Sequence, residues 1–288
     1  MNLTDWKKHI TAEIADTGRW IGLADENGLP LTDLPPALTI KTPEVSFGPS
    51  TCEITIPTAP GDPLLGFLAD GELGLQTSTG ALAADPAPAR FVVVQTTTRR
   101  HPYQVTHITL SGGVVPETMT IHAVGDAEFL AGWPAPADPA GWEKAHFDNW
   151  LTDASGARYA HPRRLARVPL VTNVEDSHRR GTARDTLRRF VQSSFDAVNE
   201  TLGITDPHAV VVFDGDKDPT PEVWFRAGDD FLWDTIADVV KNVGLTVTVD
   251  LWWPGDPAIL TSKDAAAPTP TTWPYPVLVV HIDLKEAL

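Results

Sequence analysis

Hydrophobic and polar positions alternate most clearly between Gly228 and Asp256, and they predict one helix-to-strand unit. Asp229 or Asp230 offers a side-chain oxygen to cap a helix, and Leu232, Ile236, Val239, Val240 and Val243 then recur at helical spacing on one face. Gly244 closes that helix, because glycine reaches the left-handed conformation without a Cβ clash. Leu245, Val247, Val249 and Leu251 next alternate with Thr246, Thr248 and Asp250, as in a half-buried strand, and Trp252-Trp253-Pro254-Gly255 ends it in a turn. A second helical stripe, Leu187, Phe190, Val191, Phe195, Val198 and Leu202, predicts a helix over 183–202 with Thr182 and Asp185 as a capping box. Strands are expected over 209–213, 222–225 and 277–284.

The amino-terminal half has a different grammar. After a short opening helix within residues 1–17, brief runs rich in Thr, Val and Ile predict strands over 38–42, 51–56, 91–98, 104–110 and 117–123. Turns are expected at Asp25-Glu26-Asn27-Gly28 and Ser111-Gly112-Gly113, and a loop over 81–89. Regular strands without strong helices predict a β-barrel or sandwich. The class expected is therefore α+β and β-rich: a β-rich, tube-like domain over 1–133, a linker or insertion over 134–180 opening on the Pro/Ala-rich Trp133–Trp142, and a small α+β domain over 181–288.

Composition is that of an ordinary globular protein, 288 residues with 42% hydrophobic positions, and no run is long and apolar enough to predict a membrane span. A lone Cys52 forms no internal disulfide, and the start MNLTDWKKHI lacks the apolar core of a signal peptide, so synthesis and assembly in a reducing cytoplasm are expected. The formal charge of −16 disfavours tight binding of nucleic acid, yet nine arginines fall in the 32-residue window from Arg158 to Arg189. Such segregation suits docking against acidic neighbours or other copies of the chain; the alternative is a solvated basic face. Within the helix over 183–202, Arg184, Arg188 and Arg189 lie at the amino-terminal end, where they oppose the helix dipole.

Candidate chemistry is sparse. Asp214-Gly215-Asp216-Lys217-Asp218 opens like an EF-hand, but Pro219 and Phe225 stand where the loop needs Gly and a bidentate Glu, so an acidic turn is the better reading. The histidines show no HExxH or HxH spacing, no GxSxG, GxxxxGK[ST] or GxGxxG motif occurs, and Cys52 reads as a small buried hydrophobe. No catalytic residue, cofactor or metal is expected. Three tryptophans, Trp252, Trp253 and Trp273, cluster near the last loops, as an aromatic anchor for a protein interface or a platform for sugars.

The unit from Gly228 to Asp256, together with RGTARDTLRRFVQSSFDAVNETLG from Arg180 to Gly203, resembles the tail-tip hub proteins encoded among the minor tail genes of long-tailed phages of actinobacteria. The resemblance implies a structural, non-enzymatic virion protein of the tail tip. It would form a homotrimer that closes the lower end of the tail tube, contact the distal tail protein, the tape-measure protein and other minor tail proteins, and let viral DNA pass without inserting into a membrane itself. The residues expected at its interfaces are Arg163, Arg164, Arg184, Arg188, Arg189, Trp252, Trp253 and Trp273. A distal tail protein, a carbohydrate-binding tail module and a cell-wall hydrolase are the alternatives.

Overall fold

The computed structural model describes residues 1–43, 50–69, 89–135, 147–153, 155–166, 178–214, 217–228, 230–263 and 267–285. Along the chain come α1 (Leu3–Thr17), β1 (Trp20–Ala24), β2 (Pro30–Asp33), β3 (Thr39–Lys41), β4 (Thr51–Pro57), α2 (Pro63–Ala69), β5 (Phe91–Gln95), β6 (Arg100–Gly112) and β7 (Pro116–Gly125). A 3-10 turn (Asp126–Glu128), α3 (Phe129–Gly132), β8 (Pro134–Ala135), β9 (Phe147–Thr152), β10 (Arg158–Ala166), β11 (His178–Thr182) and α4 (Ala183–Leu202) follow. The remainder is β12 (Ala209–Val211), β13 (Glu222–Arg226), β14 (Asp230–Phe231), α5 (Leu232–Val243), β15 (Leu245–Trp252), β16 (Ile259–Thr261), β17 (Thr269–Thr271) and β18 (Val277–Leu284).

The protein is α+β and strand-rich, and it divides into two compact units. Unit 1 comprises Met1–Phe129, Val247–Pro257 and Thr272–His281; unit 2 comprises Leu130–Thr246, Ala258–Thr271 and Ile282–Leu288. The first unit thus includes two late segments that the hydrophobic pattern assigns to the carboxy-terminal domain.

Unit 1 is built on one seven-stranded antiparallel sheet of order β2-β1-β5-β6-β7-β4-β3. Its register follows from side-chain alternation: Cys52, Ile54 and Ile56 of β4 lie opposite Ala123, Ile121 and Met119 of β7, and all six are buried. On the other face Thr55 meets Thr120, their hydroxyls 3.0 Å apart. The half-buried Leu64, Leu65 and Leu68 of α2 pack against this first core. A second core joins Trp6, Ile10 and Ile14 of α1 to Trp20, Ala24, Val93, Leu251 and Trp253. Val92 and Val93, adjacent on β5, enter different cores because successive strand side chains face opposite ways.

The turn at Asp25–Gly28 forms as expected. The Asp25 carboxylate accepts the N–H groups of Asn27 at 3.0 Å and Leu29 at 2.8 Å. Gly28 has φ +82°, a conformation that favours glycine, and a Cβ there would sit tightly, 3.0 Å from Leu251 Cδ1. Its carbonyl accepts the indole N–H of the fully buried Trp253 at 2.8 Å.

In unit 2, β11 pairs with β13, β9 with β10, β14 with β8 and β16 with β17, each antiparallel. The hairpin β9–β10 occupies part of the segment expected to be a linker. Helix α4 buries Leu187, Phe190, Val191 and Phe195 completely, as its apolar stripe requires. Helix α5 starts two residues later than the pattern predicts. Asp230 belongs to β14, the helix has no side-chain cap, and the Leu232 N–H instead donates to the carbonyl of Trp133 at 2.8 Å.

Replacing Trp253 with Ala should cost unit 1 about 3–5 kcal/mol, since it removes a large buried ring and leaves the Gly28 carbonyl without its donor. A lower urea midpoint at unchanged slope is the expected result.

Candidate functional site

Among the described residues of unit 2, the buried charged side chains lie at the arginine-rich start of α4. Arg184 and Arg188 are only 8% and 4% exposed, one helical turn apart. Arg184 reaches Asp214 at 3.2 Å and Asp218 at 3.5 Å. Arg188 pairs with Asp214 at 2.9 Å and with Asp283, and its Nε–H donates to the Ile282 carbonyl at 3.0 Å. Both therefore have their acidic partners within the chain, which leaves them little to offer a neighbouring subunit and revises the interface expected of them. Burial alone would lower the basicity of Arg188, but Asp214 and Asp283 outweigh it and hold the guanidinium more firmly protonated than usual.

The same carboxylates resolve the cap and the dipole. Thr182 precedes α4 with extended backbone but makes no side-chain cap bond to it. The cap comes from a distant loop: the Arg184 N–H donates to the Thr220 hydroxyl and the Asp185 N–H to the Asp218 carboxylate, each at 3.1 Å. Burial raises the proton affinity of Asp218, yet hydrogen bonds from Thr182, Thr220 and the Asp185 N–H prevail and hold its carboxyl below the ordinary range. Asp214 and Asp218 of the acidic turn thus compensate both the arginines and the helix end; Asp216 lies outside the described residues.

The other expected interface residues are placed differently. Arg189 is half-buried, bonds Asp185 at 2.8 Å and stands 5.8 Å from the Phe213 ring centre. Arg163 and Arg164 sit on β10 opposite Trp150 and Asn149, and their side chains are outside the described residues. In unit 1, Trp252 and Trp253 are 4% and 0% exposed, so they are core residues and not a surface platform. Trp273 meets Trp252 edge to face at 5.3 Å. Among the described residues the exposed tryptophan, at 74%, is Trp224 on β13 in unit 2, with Arg180 5.5 Å from its ring and paired to Glu222. Sequence pattern gives Trp224 no distinguishing mark, because it stands in an ordinary strand between Val223 and Phe225.

The turn after β15 is fixed by charge. Arg100 lies 3.7 Å over the Trp253 ring and donates to the Leu251 carbonyl at 2.8 Å and to Asp256 at 2.7 Å. Lys7 of α1 bonds the other Asp256 oxygen at 2.6 Å and the Pro254 carbonyl at 2.9 Å. Burial disfavours a charged Asp256, but Arg100, Lys7 and the Trp253 N–H together hold its carboxyl below the ordinary range. Nearby, Asp250 faces the Arg99 guanidinium at 3.6 Å and the rings of His101 and His281 at 3.7 and 3.4 Å. Cys52 is 2% exposed, and burial pushes its thiol up to about 12, which keeps it protonated and unreactive. Among the described residues no group of three or more His, Cys, Asp or Glu is arranged to hold a metal ion.

No family model and no curated protein matches the chain. Among solved structures it is similar to a tail protein from Neisseria meningitidis MC58, at 9% identity and a TM-score of 0.36, covering 91% of this chain and 50% of that one. It is also similar to the 43 kDa tail protein of prophage MuSo2 from Shewanella oneidensis, at 13% identity and a TM-score of 0.31, covering 91% of this chain and 52% of that one. The chain spans about half the length of both, and both scores are too low to establish a common fold.

Removing one side of a buried pair leaves its partners uncompensated, so Arg188→Ala should destabilise unit 2 by about 3–5 kcal/mol. Arg189→Ala, at a partly exposed pair, should cost no more than about 1 kcal/mol. Urea unfolding of the two variants checks the contrast. Asp218 and Asp256 bind fewer protons folded than unfolded near the carboxylate range, so their stabilisation is complete above about pH 4 and is lost as pH falls through their depressed values. A urea midpoint that drops steeply below about pH 4, and less steeply in Asp218→Asn, is the expected profile.

Proposed function

We propose that this chain is a structural protein of a long-tailed phage virion, the tail-tip hub that closes the lower end of the tail tube and joins distal tail components. The observation that carries this reading is the consecutive unit α5, Gly244, β15 and the Trp253–Asp256 turn, preceded in the chain by α4. These are the segments in which the chain resembles tail-tip hubs, and each forms the helix or strand that its hydrophobic pattern predicts. The two solved structures above are named tail proteins, but their scores leave the weight of the reading on the chain itself.

In this reading the protein is not an enzyme and works as a homotrimer. Its neighbours are the distal tail protein, the tape-measure protein and other minor tail proteins, and its net charge of −16 lets DNA slide past without adhering. No described helix is long and apolar enough to cross a membrane. The exposed Trp224 beside Arg180 supports a second reading as a carbohydrate-binding tail module, since an accessible ring next to a polar side chain suits a sugar face as well as a protein.

Antibody raised against the chain should label one tail end of intact particles, and the purified protein should have three times its 31.2 kDa subunit mass by light scattering. Label on the capsid or none on the particle would refute the virion role. Quenching of tryptophan emission by cell-wall sugars, abolished in Trp224→Ala, would favour the second reading.

A further inference from the structure

β11 and β13 form a two-stranded sheet with two unlike faces. One is turned to α4: Phe225, 3% exposed, meets Phe190 edge to face at 4.8 Å, and the Arg179 guanidinium lies 5.5 Å from the same ring. Side chains alternate along a strand, so Glu222, Trp224 and Arg226 share the other face, and all three are exposed. The register sets Arg180 directly opposite Trp224. Arg180 donates to one oxygen of Glu222 from two nitrogens, at 3.0 and 3.3 Å, which holds its guanidinium 5.5 Å from the indole ring. A ring 74% exposed thus stands among two arginines and one glutamate, a cationic aromatic patch on a chain of net charge −16.

The far end of α4 has the opposite character. Residues 200–206 are all exposed, and Leu202 and Ile204 lie there between Glu200 and Asp206. No Lys or Arg occurs in the sequence between Arg189 and Lys217. The last turn of α4 therefore sets no basic side chain against the negative end of the helix dipole, and Glu200 adds to that negative charge.

We infer that the Trp224 face of one copy docks on the carboxy-terminal end of α4 in a second copy, arginines against carboxylates and indole against Leu202 and Ile204. The inference rests on the homo-oligomeric reading above and names the surfaces that join the copies. Charge selects the occupant: copies that each carry −16 repel, so contact is favoured where a cationic patch of one meets an anionic patch of the other. Pairing either patch with itself would bring like charges together, so the contact is heterologous. Within one copy the two patches are held apart, because α4 advances about 18 Å from Phe190, where β13 packs, to Leu202. Tryptophan and arginine are also the side chains that most often carry the binding energy of a protein interface.

Charge reversal in the full-length chain, read by light scattering, tests the contact. Arg180→Glu with Arg226→Glu should weaken association at least about tenfold, and Glu200→Arg with Asp206→Arg should do the same. All four changes together should restore it, which damage to the fold would not. Trp224→Ala should weaken association by at least about tenfold while leaving the urea midpoint of the dilute monomer unchanged. A lowered midpoint would mean that the ring packs within its own chain, and it overturns the inference. Association that survives both paired reversals, or that the fourfold variant fails to recover, also overturns it and leaves the oligomeric reading intact; if cell-wall sugars then quench Trp224, the face is a carbohydrate site. An unaltered chain that stays monomeric by mass overturns both readings.

Discussion

Two guanidinium groups buried at the start of α4 impose the dominant constraint on unit 2. A charge taken out of water must be matched at short range, and Arg184 and Arg188 are matched by carboxylates from separate places in the chain: Asp214 and Asp218 from the loop after β12, and Asp283 from β18. The loop is therefore held over the amino-terminal end of α4, where Asp218 and Thr220 also satisfy helix N–H groups that the sequence-local Thr182 does not. The arginines that oppose the helix dipole are compensated by anions at the same end of the helix.

Unit 1 uses a smaller version of the same device. Asp256 is partly buried and receives Arg100, Lys7 and a backbone N–H, and the turn it belongs to carries Trp253 into the second core. A residue of β6 and a residue of α1 converge on one carboxylate, so a turn late in the chain is fixed by side chains from its first hundred residues. Without that charge pairing, the apolar ring of Trp253 would still favour burial, but the orientation of the turn would depend on packing alone.

Local pattern made several elements legible. The stripe of α4 and the alternation of β4, β7, β15 and β18 are repeated over enough residues for one buried face to fix both element type and approximate ends. β1 and β2 are absent from that pattern because Gly22, Pro30 and Asp33 interrupt it, and they pair through tertiary packing around Trp20. β9 and β10 lie in a polar segment with no alternation to read, and their pairing is a matter of backbone register. The candidate site was legible in residue type but not in partner: clustered arginines announce a need for anions, yet only the folded chain brings Asp214 and Asp283 to Arg188. Tryptophans at the end of β15 likewise look like a surface cluster until their indole N–H groups find carbonyls at Gly28 and Pro257.

The burial of Cys52 has a practical consequence. Its side chain is buried in the core beneath the β4–β7 pairing, and the thiolate that would attack a reagent does not form appreciably at neutral pH. Modification of this residue must wait for the sheet to part. The protein therefore carries an intrinsic clock for unit 1: the rate at which a soluble disulfide reagent labels its single thiol measures how often those strands separate, without any engineered probe.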